Sequence, residues 1–319
     1  MRQYIAKRLL LFVPVMVLVS ILIFLIMRIA PGDVAIYILA GPDGEGSFTQ
    51  EELNKLRQHL GLDKPVYEQY LSWIGGLLRL DLGDSLVSAR PVAEELRDKL
   101  PLTIELAMLT LFISLLIAIP SGVISAIRQD TWVDYLFRVA SIGGLTMPTF
   151  WTASLIMLAL ILAFRWIPPM GFVSLFDEPL QNIQQLIFPA IALGYFFAAV
   201  VARMTRSTML EVLRQDYIRT AWSKGLREGV IVSRHALKNA LLPVITISGF
   251  QFGTLLGGTV IMESIFALPG VGRALIDSVT FRDYPMVQSI ILLMAFWFLM
   301  INLLVDLIYA WFDPRIRYG

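Results

Sequence analysis

The chain has no cysteine. That excludes structural disulfides, thiol catalysis and cysteine metal sites. Its two histidines, His59 and His235, are too few for a multi-histidine metal centre. Charge is scarce: 16% of the residues are charged, against about 25% in ordinary soluble domains. The phosphate-loop pattern, Gly, four residues, then Gly-Lys-Ser/Thr, is missing, so this chain does not carry that nucleotide site. No nucleophile and base, and no cluster of metal ligands, stand in a pattern that would support a catalytic reading.

What the chain does have is apolar sequence. It is 57% hydrophobic, with a mean hydropathy of +0.70. The apolar residues fall in long runs, and about 20 residues of helix cross a hydrocarbon core of about 30 Å. Six spans are expected, at about 9–29, 102–127, 135–164, 186–204, 241–262 and 287–312. The first follows Arg2, Lys7 and Arg8 but is longer than a signal-peptide core of about 7–15 residues, and reads as an uncleaved anchor. The third contains Gly143, Gly144 and Pro148 and should tilt or kink.

The loops assign the sides. The stretch 203–238 carries eight basic residues, from Arg203 and Arg206 to Arg234 and Lys238, against Glu211, Asp216 and Glu228. The N-terminus adds bases, and so do Arg315 and Arg317. The positive-inside rule puts these segments, and with them both termini, in the cytoplasm. The long segment from Ala30 to Lys99 then lies outside. It carries more acids than bases. Thr49 with Glu52 makes a capping box that opens a helix over 50–60, which Gly61 can close. A second helix starts at Pro65, with Val66, Tyr70, Trp73 and Leu77 on one face. This hairpin either rests on the membrane and its own loops or docks an external partner.

Residues 205–240 are too polar for burial and too patterned for a linker. Helix formers run over 207–224, Gly225 interrupts, and a second helical stretch covers 228–240. The string Asp216-Tyr217-Ile218-Arg219-Thr220-Ala221-Trp222-Ser223-Lys224-Gly225, followed by His235-Ala236-Leu237-Lys238-Asn239-Ala240, resembles the cytoplasmic coupling loop of binding-protein-dependent ABC permeases. Ala221, Gly225 and Leu237 fall in the general family register. Arg219, Thr220, His235 and Lys238 depart from it toward the peptide-permease branch. Other strings resemble that branch in order: Arg28-Ile29-Ala30-Pro31-Gly32-Asp33, Leu62-Asp63-Lys64-Pro65, Asp81-Leu82-Gly83-Asp84-Ser85, Met147-Pro148-Thr149-Phe150-Trp151, Ala202-Arg203-Met204-Thr205-Arg206-Ser207, Glu263-Ser264-Ile265-Phe266 and Pro269-Gly270-Val271-Gly272.

The resemblance implies an all-α, polytopic inner-membrane protein of the type I ABC importer permease fold. It divides into an anchor at 1–30, an external segment at 31–100 and a permease domain at 95–312 that contains the loop 205–240. It implies that the chain forms the path for di- or oligopeptides and is not itself an enzyme. Its expected partners are a second permease, two ATPase subunits that bind ATP and Mg, and an external solute-binding protein. The ATPase contact would comprise Asp216, Tyr217, Arg219, Thr220, Ala221, Lys224 and Gly225, braced by His235 and Asn239. A nickel chelate or glutathione is an alternative cargo. An ion-coupled carrier would need ionisable groups near the midplane, at about 2.5–3.5 kcal/mol each, and Glu105, Glu263 and Asp306 all lie toward span ends. Gly249, Gly253 and Gly257 recur every fourth residue, which permits close helix approach in a membrane. The contact is either within the chain or the seam with a second subunit, and the same face could line a channel.

Overall fold

The computed structural model describes residues 2–29, 32–41, 46–169 and 171–312. Ala30 and Pro31 of the string that ends the first span, and the C-terminal Arg315 and Arg317, lie outside the described residues. In chain order the helices are α1 (Arg2–Ile29), α2 (Val34–Ala40), α3 (Gln50–His59), α4 (Val66–Leu77), α5 (Val92–Ile127), α6 (Trp132–Thr146), α7 (Thr149–Phe164), α8 (Pro179–Leu213), α9 (Asp216–Ser223), α10 (Glu228–Val230), α11 (Leu237–Ile265), α12 (Val271–Thr280) and α13 (Tyr284–Phe312). A π-helical stretch, Ile231–Ala236, joins α10 to α11. There is no strand among the described residues.

Among the described residues five continuous stretches are long and apolar enough to cross a membrane: Leu10–Ile29, Val92–Ile127, Pro179–Leu213, Glu228–Ile265 and Tyr284–Leu307. The expected third span is broken. α6 and α7 meet at 104°. Pro148 cannot donate a backbone hydrogen bond, and Met147 before it is extended at φ −77°, ψ 123°, as a residue preceding proline prefers. Several helices also outrun the apolar windows. α5 starts at Val92 and α8 at Pro179, because hydropathy ends at the first polar residues while backbone hydrogen bonding continues.

The chain forms two compact units. The first comprises residues 1–101 and 270–297, so 270–297 groups with the N-terminal segment rather than with the bulk of the expected permease domain. The reason is packing: Val271, Ala274, Met286 and Ile290 share a core with Val92 and Leu96. The capping box at Thr49 and Glu52 is formed. The aromatic face of α4 lies on α1: Tyr70 hydroxyl is 2.8 Å from Ser20 Oγ, and Trp73 stacks on Phe24 at 5.8 Å. The guanidinium of Arg28 sits between the Phe24 and Tyr284 rings, at 4.7 and 4.9 Å. Asp33 caps α2 by accepting from Ala35 N at 2.8 Å and also accepts from Arg57 Nε at 2.8 Å. Asp283, 2% exposed, caps α13 through Met286 N and accepts from Ser85 Oγ and Leu86 N. That fastens the 82–91 loop to the start of α13.

The second unit comprises residues 102–269 and 298–319. α8 is its centre and packs against α11, α6 and α7. Its buried side is rich in small residues: Ala190, Ala192, Gly194, Ala198, Ala199 and Ala202. Small residues let helices approach closely enough for dispersion to hold them in lipid. Leu102, Leu106, Leu186, Leu193, Leu255 and Met262 fill the main core. Near the other end of α11 from the loop, Glu263 is fully buried and accepts from Thr103 Oγ1 at 2.8 Å.

Candidate coupling loop

The expected helix over 207–224 is two helices. α8 ends at Leu213, and Gln215, extended at φ −73°, ψ 149°, turns the chain before α9 begins. Asp216 in the first turn complements the positive helix end. Gly225 stands at φ +73°, a left-handed conformation that costs an L residue about 1–2 kcal/mol. Nothing lies within 4 Å of the position its Cβ would take, so the glycine serves the turn, not close packing inside the chain. The second half is α10, the π-helical stretch and the start of α11. A π turn widens the helix by one residue and recurs at functional sites.

One side of the loop is locked. Ile218 and Ala221 of α9 join Ile231 and Ala236 of the π stretch in a small apolar core, together with Ala126 of α5, Met209 of α8 and Ala240 of α11. Ala221, assigned from sequence to the ATPase contact, is 6% exposed and faces this core. The other side is open. Tyr217 and Trp222 are 44% and 49% exposed. Asp216, Arg219, Thr220, Lys224 and Gly225 are exposed with them. Arg219 and Asp216 pair at 3.4 Å, and Thr220 Oγ1 donates to Asp216 O at 3.0 Å. Asn239 Nδ2 donates to Tyr217 hydroxyl at 2.9 Å and to His235 O at 3.0 Å. So Asn239 braces α9 directly, whereas His235 contributes its backbone carbonyl.

The glycine ladder on α11 divides. A Cβ on Gly249 would overlap Val305 Cγ2, and one on Gly253 would come within 3.0 Å of the Phe298 ring. These two glycines let α13 approach within the chain. Gly257 has nothing within 4 Å.

Beside the loop lies a buried ion pair that sequence did not reveal: Arg206 stands in one of the quoted strings, but its partner Asp134 stands in none. Asp134 at the start of α6 is 0% exposed. It accepts from Arg206 Nη2 at 2.7 Å and Nε at 2.8 Å, from Ser125 Oγ at 2.5 Å and from Asp130 N at 3.1 Å. The bidentate pair and its two supporting bonds join α5, α6 and α8. The available signal was an acid entering an apolar span opposite an arginine leaving another.

Residues 118–318 match the family described as binding-protein-dependent transport system inner membrane component. Residues 1–107 match the N-terminal region described for the same membrane components. A Brucella abortus (strain 2308) protein, provisionally named a peptide transport system permease protein, is 43% identical over 318 residues that cover all of both chains. A dipeptide transport system permease protein of Alkalihalophilus pseudofirmus is 40% identical over 338 residues, again covering all of both. A glutathione transport system permease protein of Escherichia coli (strain K12) is 39% identical over the full length of both. A crystal structure of an amino acid ABC transporter is similar over 68% of this chain and 95% of its own, with a TM-score of 0.47 and 19% identity. With 201 residues matched in one continuous region and relatives aligned end to end, the chain belongs to the binding-protein-dependent transport system inner membrane components.

Proposed function

We propose that this multi-pass membrane permease is one half of the translocation path of an ATP-driven importer for di- and oligopeptides. A second permease subunit completes the path. Two ATPase subunits bind ATP and Mg and hydrolyse the nucleotide, and an external binding protein delivers the peptide. Both termini and the loop at 205–240 face the cytoplasm, in keeping with the concentration of arginine and lysine between residues 203 and 238.

The observation that carries the reading is the two-sided build of α9. Its inner side is fixed by Ile218 and Ala221, and its outer side offers Tyr217, Arg219 and Trp222 to solvent. Tyrosine, tryptophan and arginine are the residues that anchor protein interfaces, and a helix held from behind loses little entropy on docking. The contact surface is therefore Tyr217, Arg219, Thr220, Trp222 and Lys224, with Gly225 setting the turn beside them and Ala221 behind them. The relatives named for peptide and dipeptide transport support the cargo class. Those named for glutathione support a second reading, and glutathione is itself a small peptide.

The test is peptide uptake by cells or vesicles that hold the assembled importer. Gly225→Glu and Trp222→Ala should insert at wild-type levels, lose uptake and lose co-purification of the ATPase subunits. Wild-type uptake with both substitutions would remove the coupling role from this loop. Competition of a labelled dipeptide by glutathione and by a nickel chelate then ranks the cargo readings.

A further inference from the structure

Within the second unit, the inner ends of α5, α6 and α8 enclose a cavity of about 480 Å³. Its charge is of one sign. Arg138, Arg203 and Arg206 line it, Ser121 and Ser141 add hydroxyls, and no carboxylate does. Asp134 behind it is committed to Arg206. That leaves Arg138 and Arg203, both exposed. Among the described residues neither has a carboxylate within 4.0 Å. Arg138 lies over the Tyr135 ring at 5.5 Å, a contact that leaves its charge unneutralised. Two such guanidinium groups lining one pocket supply donors for an anion, and a guanidinium fork fits a phosphate.

The cavity also has an apolar wall, formed by Ile142 and Leu145. The outer face of α6 continues it: Leu136, Val139 and Ile142 are 56%, 66% and 57% exposed. At the start of the same helix Trp132 and Tyr135 are 75% and 53% exposed, as aromatic side chains are where a helix enters the headgroup layer. The site is thus basic where the headgroups lie and apolar where acyl chains begin. A free phosphate ion would use only the first of these features.

We propose that this cavity binds an acidic glycerophospholipid, with its phosphate between Arg138 and Arg203 and one acyl chain along Ile142 and Leu145. The bound lipid ties α6 to α8, the helix that leads into the coupling loop. Only the assignment to the cytoplasmic leaflet rests on the orientation proposed above; binding itself does not. A zwitterionic phospholipid presents the same phosphate with its charge already balanced, so it is bound more weakly.

The experiment uses the full-length chain purified in a neutral detergent and titrated with phosphatidylglycerol, with phosphatidylcholine of the same chains and with inorganic phosphate, with bound lipid counted by native mass spectrometry. Arg138→Gln and Arg203→Gln should each weaken phosphatidylglycerol binding about fivefold, and the double variant about thirtyfold. Arg128→Gln, exposed at the same end but outside the cavity, should bind as wild type. Arg203→Lys keeps the charge and should lose less than Arg203→Gln. An unchanged melting temperature in lipid-free detergent would show that the glutamine variants fold. Equal retention of phosphatidylglycerol by the folded double variant would overturn the proposal. So would equal binding of phosphatidylcholine, or displacement of phosphatidylglycerol by equimolar inorganic phosphate. These readouts do not involve transport, so they stand or fall apart from the importer reading.

Discussion

Replacing Arg206 with alanine should destabilise the chain more than any other single charge deletion in the second unit. Asp134 is 0% exposed, and two of its accepted bonds come from Arg206. Removing the arginine leaves a buried carboxylate with Ser125 Oγ and Asp130 N alone. Breaking one side of a buried pair costs about 3–5 kcal/mol. The Arg206 side chain is 21% exposed, so water can reach part of the vacated space, and the lower end of that range applies. At about 3 kcal/mol the folded-to-unfolded ratio falls by roughly 150-fold. The discriminating comparison is the double variant Asp134→Leu with Arg206→Met. It removes both charges and refills the volume, so it should recover most of the loss, as apolar replacements of buried pairs do. Ser125→Ala should cost about 1 kcal/mol, since three donors to Asp134 remain. Denaturant midpoints of the wild type and the three variants, purified in one detergent, give all three changes. If Arg206→Ala lies within about 1 kcal/mol of wild type, or if the double variant is worse than the single, the pair does not hold α5, α6 and α8 together and the reasoning fails.

On α11, Gly249→Ala should destabilise by about 1–3 kcal/mol, because the new methyl overlaps Val305, whereas Gly257→Ala should stay within about 0.5 kcal/mol; equal effects at the two sites, by the same denaturation assay, would refute the division of the ladder. At the start of α3 the backbone N–H of Thr49, then its side chain, holds the Glu52 carboxyl below its ordinary value. A depressed carboxylate stabilises only while ionised, so its contribution to α3 is complete above the ordinary carboxylate range and is lost as pH falls from that range through the lowered folded-state value. The protection factors of the α3 amides, which compare each exchange rate with the intrinsic rate at the same pH, should therefore fall on acidification in wild type and much less in Glu52→Gln; identical pH profiles of protection would refute the capping role.

The family and most spans were legible because bilayer crossing imposes a long apolar run that no local contact can disguise. The capping box at Thr49 and the turn at Gly225 were legible because each needs particular residue types at fixed spacing. The break after Leu213 was not: Gln215 is neither glycine nor proline, and only the packing of Ile218 and Ala221 on Met209 and Ile231 explains why the chain turns there. The inward side of Ala221 was hidden for the same reason. An alanine permits close approach equally to a partner or to its own chain, and only the loop core decides. The grouping of residues 270–297 with the N-terminal segment depends on the buried cap at Asp283 and on Val271 and Met286 meeting Val92. Those contacts join residues almost two hundred positions apart, and no local pattern encodes them.

The loop core has a consequence for how force could pass through this chain. α9 does not hang from α8 alone; it packs on the π-helical stretch, and its buried residues belong to one core with side chains of α5, α8 and α11. Close-packed interiors transmit displacement rather than absorb it. A push on Tyr217 or Trp222 is therefore shared among three membrane helices. Through Asp134 and Arg206 it also reaches α6, up to the break at Pro148. At that break Met147 and Pro148 interrupt the hydrogen-bond ladder between α6 and α7. α7 is instead held by its packing on α8 and α11, where Ala153 shares a core with Leu193 and Leu255, so a displacement reaches it through side chains rather than along the backbone, and the joint at Pro148 is where the angle between α6 and α7 can adjust to it.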